Sequence, residues 1–124
     1  MAYIVTGTAG NDALNQSGDT GPGTIIGLAG DDDIATGSGL ATVTGDSGND
    51  IVVTQAGNTG TVDGGTENDS IFAAGNSGSM VLLLNAGADT VNFSTSTAAQ
   101  TIVGGTDSSD GNDCIFGSNG ADLM

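Results

Sequence analysis

Lysine, arginine and histidine are absent from this chain, which carries 14 Asp and one Glu and therefore a formal charge of −15. Without cations it cannot neutralise phosphates, which excludes nucleic-acid binding, and an anionic membrane surface would repel it. No internal salt bridge can form except at the N-terminal amine. Every carboxylate must be solvated, hydrogen-bonded or held by a cation from outside. The missing histidines and the single cysteine, Cys114, remove the ligands that zinc and other soft-site metals prefer. They also remove the usual bases of nucleophilic catalysis. With no Lys and no nucleophile beside a base, the chain reads as a non-enzyme. Cys114 has no intrachain partner; it reads as a small strand residue, with an intermolecular bridge as the sharper alternative.

Aromatic residues make up 3% of the chain and tryptophan is absent. One proline among 23 glycines excludes collagen, and the low apolar content excludes an ordinary globular core. Ordering so glycine-rich a backbone costs ~1–2 kcal/mol per residue, so something besides a large core must offset it. The longest apolar run, Met80 to Leu84, is far short of the ~20 residues of a spanning helix, and no membrane insertion is expected. No basic segment of a Sec-type signal is visible either.

What the chain does have is a repeat. Gly45-Asp46-Ser47-Gly48-Asn49-Asp50-Ile51-Val52-Val53 is a glycine-rich turn, an aspartate at position six and an apolar residue at position eight. Gly7 to Leu14 and Gly27 to Ile34 repeat it, and Gly64 to Ile71 does so with Glu67 in place of a glycine. Gly87 to Val91 and Gly111 to Ile115 carry its second half, and Gly117 to Met124 is a shortened last copy. These segments resemble the G-G-x-G-x-D-x-U-x nonapeptides of the RTX (hemolysin-type) calcium-binding repeat family, in which U is a large apolar residue. The resemblance covers nearly the whole chain. It implies an all-β fold, a right-handed parallel β-roll or β-solenoid, binding Ca²⁺ in its turns.

The motif aspartates Asp12, Asp32, Asp50, Asp69, Asp89 and Asp113 are spaced by 20, 18, 19, 20 and 24 residues. The last interval holds Asp107-Ser108-Ser109-Asp110, which reads as a four-residue insertion. A period of 18–20 residues is one solenoid coil of two short strands and two turns. Residues 1–124 thus form a single domain of about six coils, without capping segments. Val5, Ile25, Val43, Val62, Leu82 and Ile102 form one apolar ladder, and Leu14, Ile34, Val52, Ile71, Val91 and Ile115 the other. Across the aspartate turn the two ladders are separated by 9 residues in five coils; across the opposite turn the separation varies from 9 to 11. A constant length on one side and a free one on the other suggests that metal pins the aspartate edge while the other edge is ordinary loop. In the tail, Ile115 to Met124 is also 9, which puts Asp122 on the opposite edge and Met124 on the Val5 ladder.

Stacked strands lie ~4.8 Å apart, so the six aspartates should form a column whose neighbours repel by roughly 1 kcal/mol in water and ~3–4 kcal/mol at an effective dielectric of 20. A hard cation between coils turns that repulsion into a tie. Ca²⁺ accepts six to eight carboxylate and carbonyl oxygens in forgiving geometry, whereas Mg²⁺ demands a strict octahedron. The resemblance implies that each ion takes the position-six carboxylate and the carbonyls at positions one, three and five. It carries these roles to Gly7, Ala9, Asn11 and Asp12, to Gly27, Ala29, Asp31 and Asp32, and to Gly45, Ser47, Asn49 and Asp50. The pattern departs at Glu67, Asn85 and the inserted turn; Glu67 either adds a ligand or points outward. The Asp31 and Asp33 carboxylates, Asp46 and Asp63 read as solvated. Without calcium the acidic, aromatic-poor chain should be largely disordered.

Three functions are expected from this. The first is a secreted, extracellular or cell-surface structural protein that folds with Ca²⁺ and polymerises head to tail into a filament or layer, since uncapped solenoid ends expose strand edges. The second is a calcium-binding module of a larger type I-secreted toxin, adhesin, hydrolase or S-layer protein. The third is ice binding, which some RTX-like solenoids show. That function needs a regular outward Thr/Asn rank, and the column Ala9, Ala29, Ser47, Thr66, Ala86 and Asp110 holds a single threonine.

Overall fold

The computed structural model describes residues 1–73, 75–105 and 111–124; the expected insertion at Asp107–Asp110 lies outside them. Short apolar runs flanked by Gly, Asn and Asp form short strands, and the described residues hold twelve: β1 Tyr3–Thr6, β2 Ala13–Asn15, β3 Gly23–Ala29, β4 Asp33–Ala35, β5 Ala41–Ser47, β6 Ile51–Val53, β7 Thr61–Thr66, β8 Ser70–Phe72, β9 Val81–Leu83, β10 Thr90–Asn92, β11 Thr101–Val103 and β12 Cys114–Phe116. Odd-numbered strands form one six-stranded sheet in the order β1-β3-β5-β7-β9-β11, and even-numbered strands form the other, β2-β4-β6-β8-β10-β12. All pairings are parallel. The chain therefore winds from one sheet to the other and back, a parallel β-solenoid with no helix among the described residues.

The register follows the two ladders. Val5 pairs with Ile25, Ile25 with Val43, Val43 with Val62, Val62 with Leu82 and Leu82 with Ile102. On the facing sheet Leu14, Ile34, Val52, Ile71, Val91 and Ile115 are likewise in line. Ile25, Ile34, Val43, Val52, Val62, Ile71, Leu82 and Val91 are wholly buried. They form the middle of a thin aliphatic core, widened by Met80, Leu84 and Phe93 in the later coils. One inward side chain per strand per coil is little apolar surface, so the coil-to-coil backbone ladder carries much of the cohesion.

The edge away from the aspartates is more than ordinary loop. It holds a buried polar ladder, in which Asn58 Nδ2 donates to Thr36 Oγ1 at 3.0 Å and Asn76 Nδ2 to the Asn58 carbonyl at 2.9 Å. Further along, Gln100 Oε1 accepts the Met80 N–H at 2.9 Å. Varying loop length is accommodated there because side-chain amides, which reach several backbone groups, satisfy what the backbone leaves open. Leu123 bridges Thr101, so the tail runs beside β11, Asp122 stands on the edge opposite the motif aspartates, and Met124 follows onto the Val5 ladder.

Candidate metal centre

Side chains two apart on a strand face the same way, so position six shares the inward face of position eight. The structure accordingly turns the motif aspartates into the interior. The sequence suggested an acidic rim; instead Asp32, Asp50, Asp69 and Asp89 are 1–2% exposed, while Asp12 and Asp113 at the ends are half-buried. Each inward carboxylate is tied to the coil before it. Oδ1 of Asp32 accepts the Asp12 N–H at 2.8 Å, Oδ1 of Asp50 the Asp32 N–H at 2.8 Å, and Oδ1 of Asp69 the Asp50 N–H at 2.9 Å. Asp89 and Asp113 continue the series at 2.7 and 3.1 Å.

The second carboxylate oxygen explains the glycine at position one. A Cβ on Gly27 would stand 2.2 Å from Asp32 Oδ2 and 2.7 Å from the Gly45 carbonyl, and one on Gly45 would stand 2.2 Å from Asp50 Oδ2 and 2.3 Å from the Gly64 carbonyl. Carboxylate and carbonyl thus converge on the gap that the missing side chain leaves. At turn four the Gly64 gap faces Asp69 Oδ2 at 2.4 Å. In turn five position one is Leu84, wholly buried in the core, so that turn has no such gap. Oδ2 of Asp32, Asp50 and Asp69 is buried and has no hydrogen-bond partner.

Electrostatics follow the burial. Desolvation, opposed by the backbone bond from Asp50 and reinforced by Asp89, Asp50 and Glu67, pushes Asp69 up to about 7. Asp50 is raised for the same chief reason, with Asp32, Asp31 and Glu67 adding repulsion. Asp122 behaves oppositely: slight burial is outweighed by hydrogen bonds from the Ser118 hydroxyl, the Gln100 N–H and the Ser118 N–H, and its pKa is lowered. Asp63, expected as a plain surface charge, is half-buried and raised by that burial, though the Asn85 amide bonded to it opposes the shift.

A second ladder at position five was missed in the sequence. Asn11 Oδ1 accepts the Asp31 N–H at 3.0 Å, Asp31 Oδ1 the Asn49 N–H at 2.8 Å, Asn49 Oδ1 the Asn68 N–H at 3.1 Å, and Asn68 Oδ1 the Ala88 N–H at 2.8 Å. It runs opposite to the position-six ladder: here the side chain accepts from the following coil, there from the preceding one. The signal was present, since position five is Asn or Asp in every copy but those of Ala88 and Ala121. The Asp31 carboxylate, which read as solvated, is exposed but holds a place in this ladder. Glu67 is exposed, and its Oε2 accepts the Gly48 N–H at 2.9 Å and the Thr66 hydroxyl at 2.6 Å. Among the expected carbonyl ligands, Ser47 O already accepts the Gly30 N–H at 2.9 Å, Gly45 O lines the gap at Gly27, and Gly27 O lines a like gap at Gly7, where Asp12 Oδ2 also converges.

The donor set suits Ca²⁺ in kind: carboxylate and carbonyl oxygen only, with the buried Oδ2 atoms short of a partner. Among the described residues, however, no three Asp, Glu, His or Cys side chains converge on one point, so an ion here would rest largely on backbone oxygens. No family model, no curated protein and no solved structure matches this chain.

Proposed function

We propose that this chain is a calcium-binding extracellular structural solenoid, related to the RTX repeats it resembles, whose folding depends on Ca²⁺ held at the aspartate edge. The supporting observation is the trio of buried carboxylate oxygens without a partner, on Asp32, Asp50 and Asp69. Leaving even a neutral buried acceptor unsatisfied costs about 1–3 kcal/mol, and a charged one more. Asp32 Oδ2 with the Gly45 carbonyl, and Asp50 Oδ2 with the Gly64 carbonyl, would hold ions between successive coils, with other turn carbonyls completing the shell. The ion supplies positive charge to a column that has none. The protein's part is to orient Oδ2 by anchoring Oδ1 to the backbone, and to clear space with Gly27, Gly45 and Gly64.

Far-ultraviolet circular dichroism at neutral pH tests this. The β signal should be strong in millimolar Ca²⁺, collapse in excess chelator, and not be restored by Mg²⁺. A full β spectrum in chelator would overturn the reading. Export by a type I route belongs to the same proposal.

We also propose head-to-tail association. β1 and the tail segment at Leu123 are the outer members of one parallel ladder, and Met124 continues the Val5 column, so a second copy could extend the stack. Native mass and electron microscopy in Ca²⁺ should show rods; a discrete monomer would favour a module of a larger secreted protein.

Ice binding gains one observation. In the column weighed in the sequence, Ala29, Ser47 and Thr66 end β3, β5 and β7, whereas the outer face of the odd-numbered sheet aligns Thr24, Thr42, Thr61 and Thr101, preceded by Ile4 and interrupted by Val81. Thermal hysteresis in the calcium-loaded protein would support that reading, and its absence would remove it.

A further inference from the structure

The turns differ in what satisfies the aspartate. In turn one, the N–H and hydroxyl of Thr8, at position two, both donate to Asp12 Oδ2. In the tail turn, Ser118, again at position two, donates its N–H to Asp122 Oδ2 at 2.9 Å and its hydroxyl to Oδ1 at 2.7 Å. In turns two, three and four, position two is Leu28, Asp46 or Gly65, with φ of 85°, 87° and 112°. None of these N–H groups reaches the carboxylate of its own turn, and Oδ2 of Asp32, Asp50 and Asp69 lacks a partner.

The cause is strand pairing. β1 stops pairing at Thr6, so Thr8 is free to fold back. Between β3, β5 and β7 pairing runs on through positions two and three, Leu28 with Asp46 and Asp46 with Gly65. That holds position two in the sheet and in the left-handed region. Both Leu28 and Asp46 are held there against the steric preference of L-residues, and their own side chains gain no hydrogen bond to the aspartate in return.

We propose that in turns with glycine at position one, which leaves out turn five with its left-handed Asn85 behind Leu84, the second residue selects between two ways of satisfying the aspartate: a hydroxyl residue outside the left-handed region caps it with the protein's own N–H, and a left-handed residue reserves it for a hard divalent cation. This rests on the calcium reading above and adds that turn one and the tail turn take no ion. The solenoid is then a calcium-binding interior between self-capped turns, and the two states of a turn are mutually exclusive because both need Oδ2.

Native mass spectrometry of the full chain, titrated with CaCl₂, tests the assignment. Thr8→Gly removes the hydroxyl and permits the left-handed conformation, so it should bind one more calcium than wild type, and Thr8→Ser should bind the same number. Leu28→Thr installs a β-branched hydroxyl residue that resists positive φ, so it should bind one fewer. Its residue-28 amide should become protected from hydrogen exchange in the calcium-loaded chain. If wild type binds calcium and Thr8→Gly leaves the number unchanged, the selector is wrong while calcium binding stands; because Thr8 is exposed in the first coil, this variant decides the matter even if Leu28→Thr does not fold. If wild type binds no calcium, both readings fall.

Discussion

The interior turns and the outer turns share a motif and use it in opposite ways. At turn one and in the tail, the aspartate is half-buried and its second oxygen is answered by its own turn. At turns two to four it is wholly inside, its second oxygen unanswered, and the strand before it is six or seven residues long instead of four. Longer pairing thus makes the interior both better knit and worse satisfied. Neighbouring coils, more than the hexapeptide itself, decide what an Asp in this motif does.

The sharpest way to break that contrast is to remove the aspartate from each class of turn. Asp50→Ala deletes the acceptor of the Asp32 N–H as well as the oxygen facing Gly45, and should cost roughly 2–4 kcal/mol in saturating Ca²⁺. Asp12→Ala loses bonds within one exposed turn and should cost about 1 kcal/mol, close to Asp63→Ala. Equal losses for Asp50 and Asp12, measured by urea titration, would erase the distinction.

Acidity separates the classes next. Asp69, raised to about 7 from 3.8, takes up a proton on folding, so its contribution in metal-free protein is full below pH ~4 and lost as pH rises through ~7, on the order of 4 kcal/mol. Asp50 acts in the same direction. Chelated protein should therefore be more folded at pH 4.5 than at pH 8, and Ca²⁺ should reverse the order, because protons then compete with the ion. Apo stability that is flat or rises with pH would show that the interior acids are not desolvated.

Glycine offers a smaller effect at position four. Gly48 has φ 131°, and a Cβ there would lie 2.1 Å from the Gly30 carbonyl; at Gly10 the nearest atom is 3.9 Å away. Gly48→Ala should cost about 2–3 kcal/mol and Gly10→Ala about 0.5 kcal/mol or less, read as melting shifts. Smallest is a gain: Asp46→Gly relieves a left-handed aspartate and one negative charge, and should stabilise by about 1 kcal/mol. A loss would mean that the Asp46 side chain contributes to the fold in Ca²⁺.

Much of this architecture was legible residue by residue. The constant nine-residue step from Val5 to Leu14, or from Val43 to Val52, fixes two strands and one tight turn, because any other length would break the facing ladders. The inward aim of Asp50 follows from its place two residues before Val52, on the same face, although the column of acids read as a rim. Other features were not. Leu84 occupies a glycine position and fills it with core, and only packing against its neighbours makes that tolerable. The Asn58, Asn76 and Gln100 edge has no repeating spacing, since amides find partners by reach and not by period.

Chain pattern alone therefore set the class of fold, the register and the column of acids, because strand periodicity and coil length are local properties that stacking can only copy. Tertiary structure decided which carboxylate oxygens are answered and which are left for a cation. That depends on the orientation of the peptide at position two, and pairing with the coils on either side fixes it where the residues of a single turn, with Leu28 and Thr8 in equivalent places, do not.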